Sequence, residues 1–173
     1  MIHTQIISRY GKQPFIFIND FLLAIEESWH STVYKNDFYP TVSIVLQTDS
    51  GSLAIDADFD TGATSSFADY DLLKSHHVVE PYENEYVEIS RHLSETFGCV
   101  SRLIDVEVKL LSGEVLRRTL PVHCVEKWNK SPFVRINPHR TALAGRNIFL
   151  ELQPSVTLDF ANRRTTISAP TTI

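Results

Sequence analysis

From Thr41 onward the chain alternates. Val42, Ile44 and Leu46 are apolar, and Thr41, Ser43 and Gln47 around them are polar. A period of two predicts a strand with one face in a core. Asp49-Ser50-Gly51 carries turn chemistry, and the alternation resumes at Leu53, Ile55, Ala57 and Phe59, so residues 41–59 predict a hairpin. Asp60-Thr61-Gly62 breaks it sharply, and Asp69 to Lys74 predicts a short helical turn. Ile104, Val106, Val108 and Leu110 share one face of a second strand pair, Ser112-Gly113 reverses the chain, and Leu120, Val122 and Cys124 return. Residues 126–140, with Pro132 and Pro138, predict a loop. Asn147 to Leu152 predicts a short helix stopped by Pro154, Val156 to Phe160 a strand, Asn162 a turn, and a last short strand runs to Ile167. Together these elements predict a mainly β domain of short hairpins with one short helix near its end.

The start of the chain reads differently. Phe15 to Ile18 has the look of a strand, and Phe21, Ile25 and Trp29 stand at helical spacing behind Asn19-Asp20, a candidate N-cap. Residues 1–36 are therefore set apart as an N-terminal extension, and residues 37–173 as the main domain.

Composition narrows the function classes. The chain has 173 residues, is 43% hydrophobic and 21% charged, and carries a formal net charge of −5. Such a chain builds a core without disulfides or structural metals, and its acidic balance argues against a nucleic acid partner. The pairs Arg117-Arg118 and Arg163-Arg164 are expected to be solvated. Cys99 and Cys124 make no CxxC or CxxH spacing, so no zinc site is expected. They form either one bridge or two free thiols. The apolar run Phe15 to Ile25 is interrupted by Asn19 and Asp20 and is too short and polar to span a bilayer. No membrane partner is expected, and the default location is the cytoplasm.

The segment that carries chemistry is Phe59-Asp60-Thr61-Gly62-Ala63-Thr64-Ser65-Ser66-Phe67. An acid at the end of an apolar strand, in a tight turn with glycine, is held by backbone, and its oxygens can accept hydrogen bonds from the N–H groups of that turn. Two such carboxylates about 3 Å apart cannot both ionise and share one proton. The ionised member then acts as general base on a water, and the protonated one polarises the scissile carbonyl and supplies a proton to the leaving amine. Neither cofactor nor metal is required.

Residues 57–67 resemble the active-site turn of retropepsins, the aspartic peptidases of retroviruses and their cellular relatives. A second family element, a short apolar run, Gly-Arg, a short helix and a strand, is similar to Leu143-Ala144-Gly145-Arg146-Asn147-Ile148-Phe149-Leu150 followed by Val156 to Phe160. The resemblance covers roughly residues 38–167. It implies a closed retropepsin-like β barrel, an aspartic endopeptidase acting on a peptide or protein substrate, and a homodimer in which two Asp-Thr-Gly turns meet on a two-fold axis. Asp60 would be the catalytic acid. Thr61 would brace the paired turns across the axis, Gly62 and Ala63 complete the turn, and Gly62 would let the substrate backbone approach. Gly145 would let the second element pack behind the turn. The family's flap is matched to Val87 to Ser101, whose only glycine is Gly98. Two departures stand out. Asp58 replaces a commonly apolar residue, and Thr64-Ser65 replaces the acid that pairs with the arginine in viral members, so Arg146 needs another partner.

Rival readings are weaker. A calcium loop starting at Asp56 would need glycine at Thr61 and glutamate at Phe67. Asp56 and Asp58 are instead expected on a solvated strand face. Ser65-Ser66 with His76 or His77 lacks a nucleophile elbow, and His92 and Glu95 are expected to face solvent. The remaining alternative keeps the fold without the chemistry, as a catalytically inactive peptide-binding or dimerisation module.

Overall fold

The computed structural model describes residues 29–83 and 85–170. The expected elements within residues 1–28, a strand at Phe15 to Ile18 and most of a helix from Phe21, lie outside the described residues.

Eleven strands and two short helices follow one another in the described chain: β1 (His30–Ser31), β2 (Phe38–Tyr39), β3 (Thr41–Gln47), β4 (Ser52–Phe59), β5 (Ser66–Asp69), α1 (Tyr70–Ser75), β6 (Glu88–His92), β7 (Glu95–Lys109), β8 (Val115–Val125), β9 (Ala142–Ala144), α2 (Arg146–Leu152), β10 (Ser155–Asp159) and β11 (Arg164–Ser168). The predicted hairpins and both turns of helix are present. The loop at 126–140 holds two single 3₁₀ turns, Trp128–Lys130 and Pro132–Val134.

The main sheet runs β3-β4-β9-β5-β8-β7 and closes on itself through pairing of β3 with β7, giving a six-stranded barrel, with β6 added outside β7. The alternation in the sequence explains the barrel's inside. Val42, Ile44, Leu46, Ile55, Ala57, Ile104, Val106, Val108, Leu120, Val122 and Cys124 all point into one core. Closure removes the sheet edges that a half-buried set of strands would otherwise expose. A second apolar cluster lies on the outer face, where Phe97, Cys99, Val125 and Leu143 pack under Trp128 and Phe133 of the 126–140 segment.

Two strand pairs sit outside the barrel. β1 pairs with β2, and β10 with β11. Trp29 joins them, donating through Nε1 to Thr165 Oγ1 at 2.9 Å and meeting Phe160 edge-on. The described part of the N-terminal extension, residues 29–36, thus packs against the domain.

Asp69 caps α1, accepting from the N–H groups of Asp71 and Leu72. Both cysteines are free. Val100, not Cys99, stands opposite Cys124 in the β7–β8 ladder. Cys124 therefore faces the barrel interior and Cys99 the outer cluster, which rules out a bridge between them. Burial pushes the Cys124 thiol up to about 12.

Candidate active site

Asp60 follows the last residue of β4, where that strand runs parallel to β9. The chain then turns back into β5, which lies antiparallel on the other side of β9. The turn at 60–65 thus straddles the junction between β9 and α2. Three hydrogen bonds tie them: Asp60 N–H to Ala144 O at 3.0 Å, Arg146 N–H to Ala63 O at 2.9 Å, and Gly145 N–H to Ser66 Oγ at 3.0 Å. A Cβ on Gly145 would overlap the Ser65 carbonyl. Glycine is therefore a steric requirement of the crossing.

Within the turn, Asp60 Oδ1 accepts from the N–H groups of Gly62 at 2.8 Å and Ala63 at 3.3 Å. Its carboxylate is half-buried, while Thr61 and Gly62 are exposed and Ala63 is partly covered. Backbone thus fixes one oxygen and leaves an accessible acid on an exposed turn. The Tyr39 phenol lies near the Asp60 side chain, and burial, reinforced by the Asp60 charge, pushes it up to about 12. Tyr39 therefore stays neutral beside this acid at ordinary pH.

Asp58, two residues earlier, is fully buried rather than solvated. Asp56 does face solvent. The expectation fails at Asp58 because β1, β2 and the 137–140 segment cover the outer face of β4 at its end, a second layer that local alternation cannot report. Asp58 accepts from Arg140 Nε at 2.6 Å and from Asn137 Nδ2 at 2.8 and 2.9 Å, and His30 Nδ1 lies 2.8 Å from it. A carboxylate only accepts, so the contact with His30 places a proton on Nδ1. The nearby Asn137 amide, 3.2 Å from that nitrogen, is then not hydrogen-bonded to it. Arg140 also donates to Phe133 O and lies over the Tyr39 ring, 4.8 Å from its centroid. The buried Asp58–Arg140 pair is thus covered by the half-buried Tyr39, whose phenol lies near Asp60. Sequence reading missed Tyr39, His30, Asn137 and Arg140, because they come from three separate segments with no shared spacing.

The other expected residues divide. Gly145 meets the turn as anticipated. Arg146 contributes its backbone N–H, but its side chain is exposed and takes part in none of the ion pairs among the described residues. The hairpin expected at Val87 to Ser101 exists as β6 and the start of β7, with His92 opposite Glu95 and Leu93-Ser94 as its two-residue tip. Gly98 is not at that tip; it stands in β7 opposite Ile89. A correction concerns His92 and Glu95. The His92 ring stacks on Phe133 at 5.2 Å, Phe133 stacks on Trp128 at 5.0 Å, and Glu95 pairs with Arg135. These contacts lash the hairpin to the 126–140 segment. The hydroxyl of Ser66 is occupied by Asn147 Oδ1 at 2.7 Å and Gly145 N–H. It is not paired with His76 or His77, both of which are exposed.

Comparison with known protein families and with curated proteins finds no match to this chain. No helix among the described residues is long and apolar enough to cross a membrane.

Proposed function

We propose that this chain is one subunit of a homodimeric, retropepsin-like aspartic endopeptidase with Asp60 as its catalytic acid. The observation that carries the reading is the Asp60 turn itself. Its carboxylate is accessible, is held by the Gly62 and Ala63 N–H groups, and sits on a crossing that only Gly145 permits. The other acid of the strand end, Asp58, is consumed by Arg140, Asn137 and His30. The closed barrel and the passage of the turn around β9 agree with the resemblance of residues 57–67 and 143–150.

Asp-Thr-Gly occurs once in the sequence, and the chemistry needs two carboxylates. A two-fold axis through the turn supplies the second. The paired acids share a proton, one activates water and the other protonates the leaving amine. Thr61 stands exposed beside Asp60, free to brace the partner turn. Tyr39 and the buried Asp58–Arg140 pair position Asp60 rather than touch substrate.

The test is incubation of purified protein with a diverse peptide mixture, read by mass spectrometry, beside Asp60→Asn. The asparagine keeps Oδ1 as acceptor for the turn but cannot act as base. Cleavage by wild type and none by the folded variant is the expected result. Equal cleavage by both overturns the mechanism, and peptide capture without cleavage by wild type identifies the inactive binding module instead.

A further inference from the structure

We propose that Glu88, Cys99 and His123 form a binding site for a zinc-class divalent metal ion at the root of the β6–β7 hairpin. A carboxylate oxygen, a thiol sulfur and an imidazole nitrogen from these residues all lie within 4.8 Å of one another. The strand registers explain the cluster. Glu88 stands directly opposite Cys99, and Ser101 directly opposite His123, so Cys99 and His123 are diagonal neighbours on the same face. Three adjacent strands each contribute one ligand. Sequence spacing hid the site, because the ligands come from residues far apart along the chain.

Two further observations point to an ion. His123 Nδ1 is buried and has no hydrogen-bond partner among the described residues, a condition that is costly unless something satisfies it. The ring is already held in place, stacked on Phe67 at 5.2 Å. The donor set also selects the metal. Thiolate, imidazole and one carboxylate suit zinc with a fourth position left for water, whereas calcium and magnesium prefer all-oxygen cages. Glu88 is exposed, which gives the ion a route in from solvent.

A bound ion would have a mechanical consequence. Among the described residues β6 pairs only with β7, and the metal would tie it across β7 to β8, stiffening the hairpin at its base. The site stands independently of the peptidase reading, since none of its residues belongs to the Asp60 turn.

The test uses the full chain, reduced, titrated with cobalt(II) at neutral pH and then challenged with zinc(II). The expected signature is a thiolate-to-cobalt charge-transfer band with tetrahedral visible bands, both abolished by zinc. Cys99→Ser removes the charge-transfer band, Glu88→Gln and His123→Gln weaken cobalt binding about tenfold or more, and Cys124→Ser leaves it unchanged. Circular dichroism before metal addition checks the fold of each variant. X-ray absorption on the zinc-loaded wild type needs no variant and is expected to find one sulfur among nitrogen and oxygen ligands. Absence of the band in wild type, its survival in Cys99→Ser, its loss in folded Cys124→Ser, or an all-nitrogen-and-oxygen coordination sphere overturns the proposal.

Discussion

Two acids two residues apart have opposite fates at the end of β4, and the difference lies in what covers them. Asp58 is fully buried and Arg140 only 5% exposed, so removing one partner strands the other's charge away from water. Arg140→Ala is expected to destabilise the fold by about 3–5 kcal/mol in urea unfolding, whereas the exposed Asp56→Ala should stay within about 0.5 kcal/mol of wild type. Tyr39 makes a separate prediction. Its phenol titrates near 10 in an unfolded chain and about 12 in the fold, so the native state holds that proton more tightly. The associated stability is complete below pH 10 and is lost as pH rises from 10 towards 12. Tyr39→Phe should therefore show a flatter stability curve across that window. An alkaline decline equal to wild type would mean the phenol does not carry it.

At the scale of elements, the site depends on one close crossing and one strained hairpin. An added methyl at Gly145 meets backbone, which cannot swing away. At Gly98 the nearest atoms are side-chain ends, Val87 Cγ1 at 3.0 Å and the Glu126 carboxylate at 3.3 Å. Gly145→Ala is expected to lose about 3 kcal/mol or more and Gly98→Ala about 1 kcal/mol, measured by thermal or urea unfolding. The hairpin tip is unusual in the opposite sense. Leu93 and Ser94 both adopt positive φ, 48° and 67°, in a two-residue turn that favours Asn-Gly. Ser94→Gly should stabilise the protein by about 1 kcal/mol, because glycine enters that region without steric penalty. If the hairpin must open for substrate, the same variant alters turnover with little change in the Asp60 turn.

The proposed chemistry belongs to the whole molecule and to more than one copy of it. With a single Asp60 per chain, the proposed two-carboxylate mechanism would make activity a property of the dimer. Specific activity is expected to fall on dilution below the dimer dissociation constant, and excess Asp60→Asn is expected to suppress wild type through mixed dimers. The pH–rate profile should be bell-shaped, since only the singly protonated pair is competent. Analytical ultracentrifugation alongside the dilution series checks the assembly. A monomer with undiminished activity at nanomolar concentration would rule out the two-carboxylate mechanism.

Much of this was legible in the chain. Period-two alternation marked β3, β4, β7 and β8 because each has one face in the barrel and one outside, and burial imposes that pattern directly on residue type. Turn chemistry marked Asp60-Thr61-Gly62, and the family resemblance implied the close approach at Gly145, whose steric need for glycine the structure then shows. What alternation could not report is a second layer. Asp58 lies on the face expected to be wet, yet it is dry because His30, Asn137 and Arg140, from distant segments, fold over it. The same holds for His92 and Glu95, captured by Phe133 and Arg135, and for Glu88, Cys99 and His123, which meet only through the registers of three strands. Local pattern encodes which side of a strand faces the barrel; which distant residues cover its other side is decided by chain topology, and that exists only once the barrel has closed.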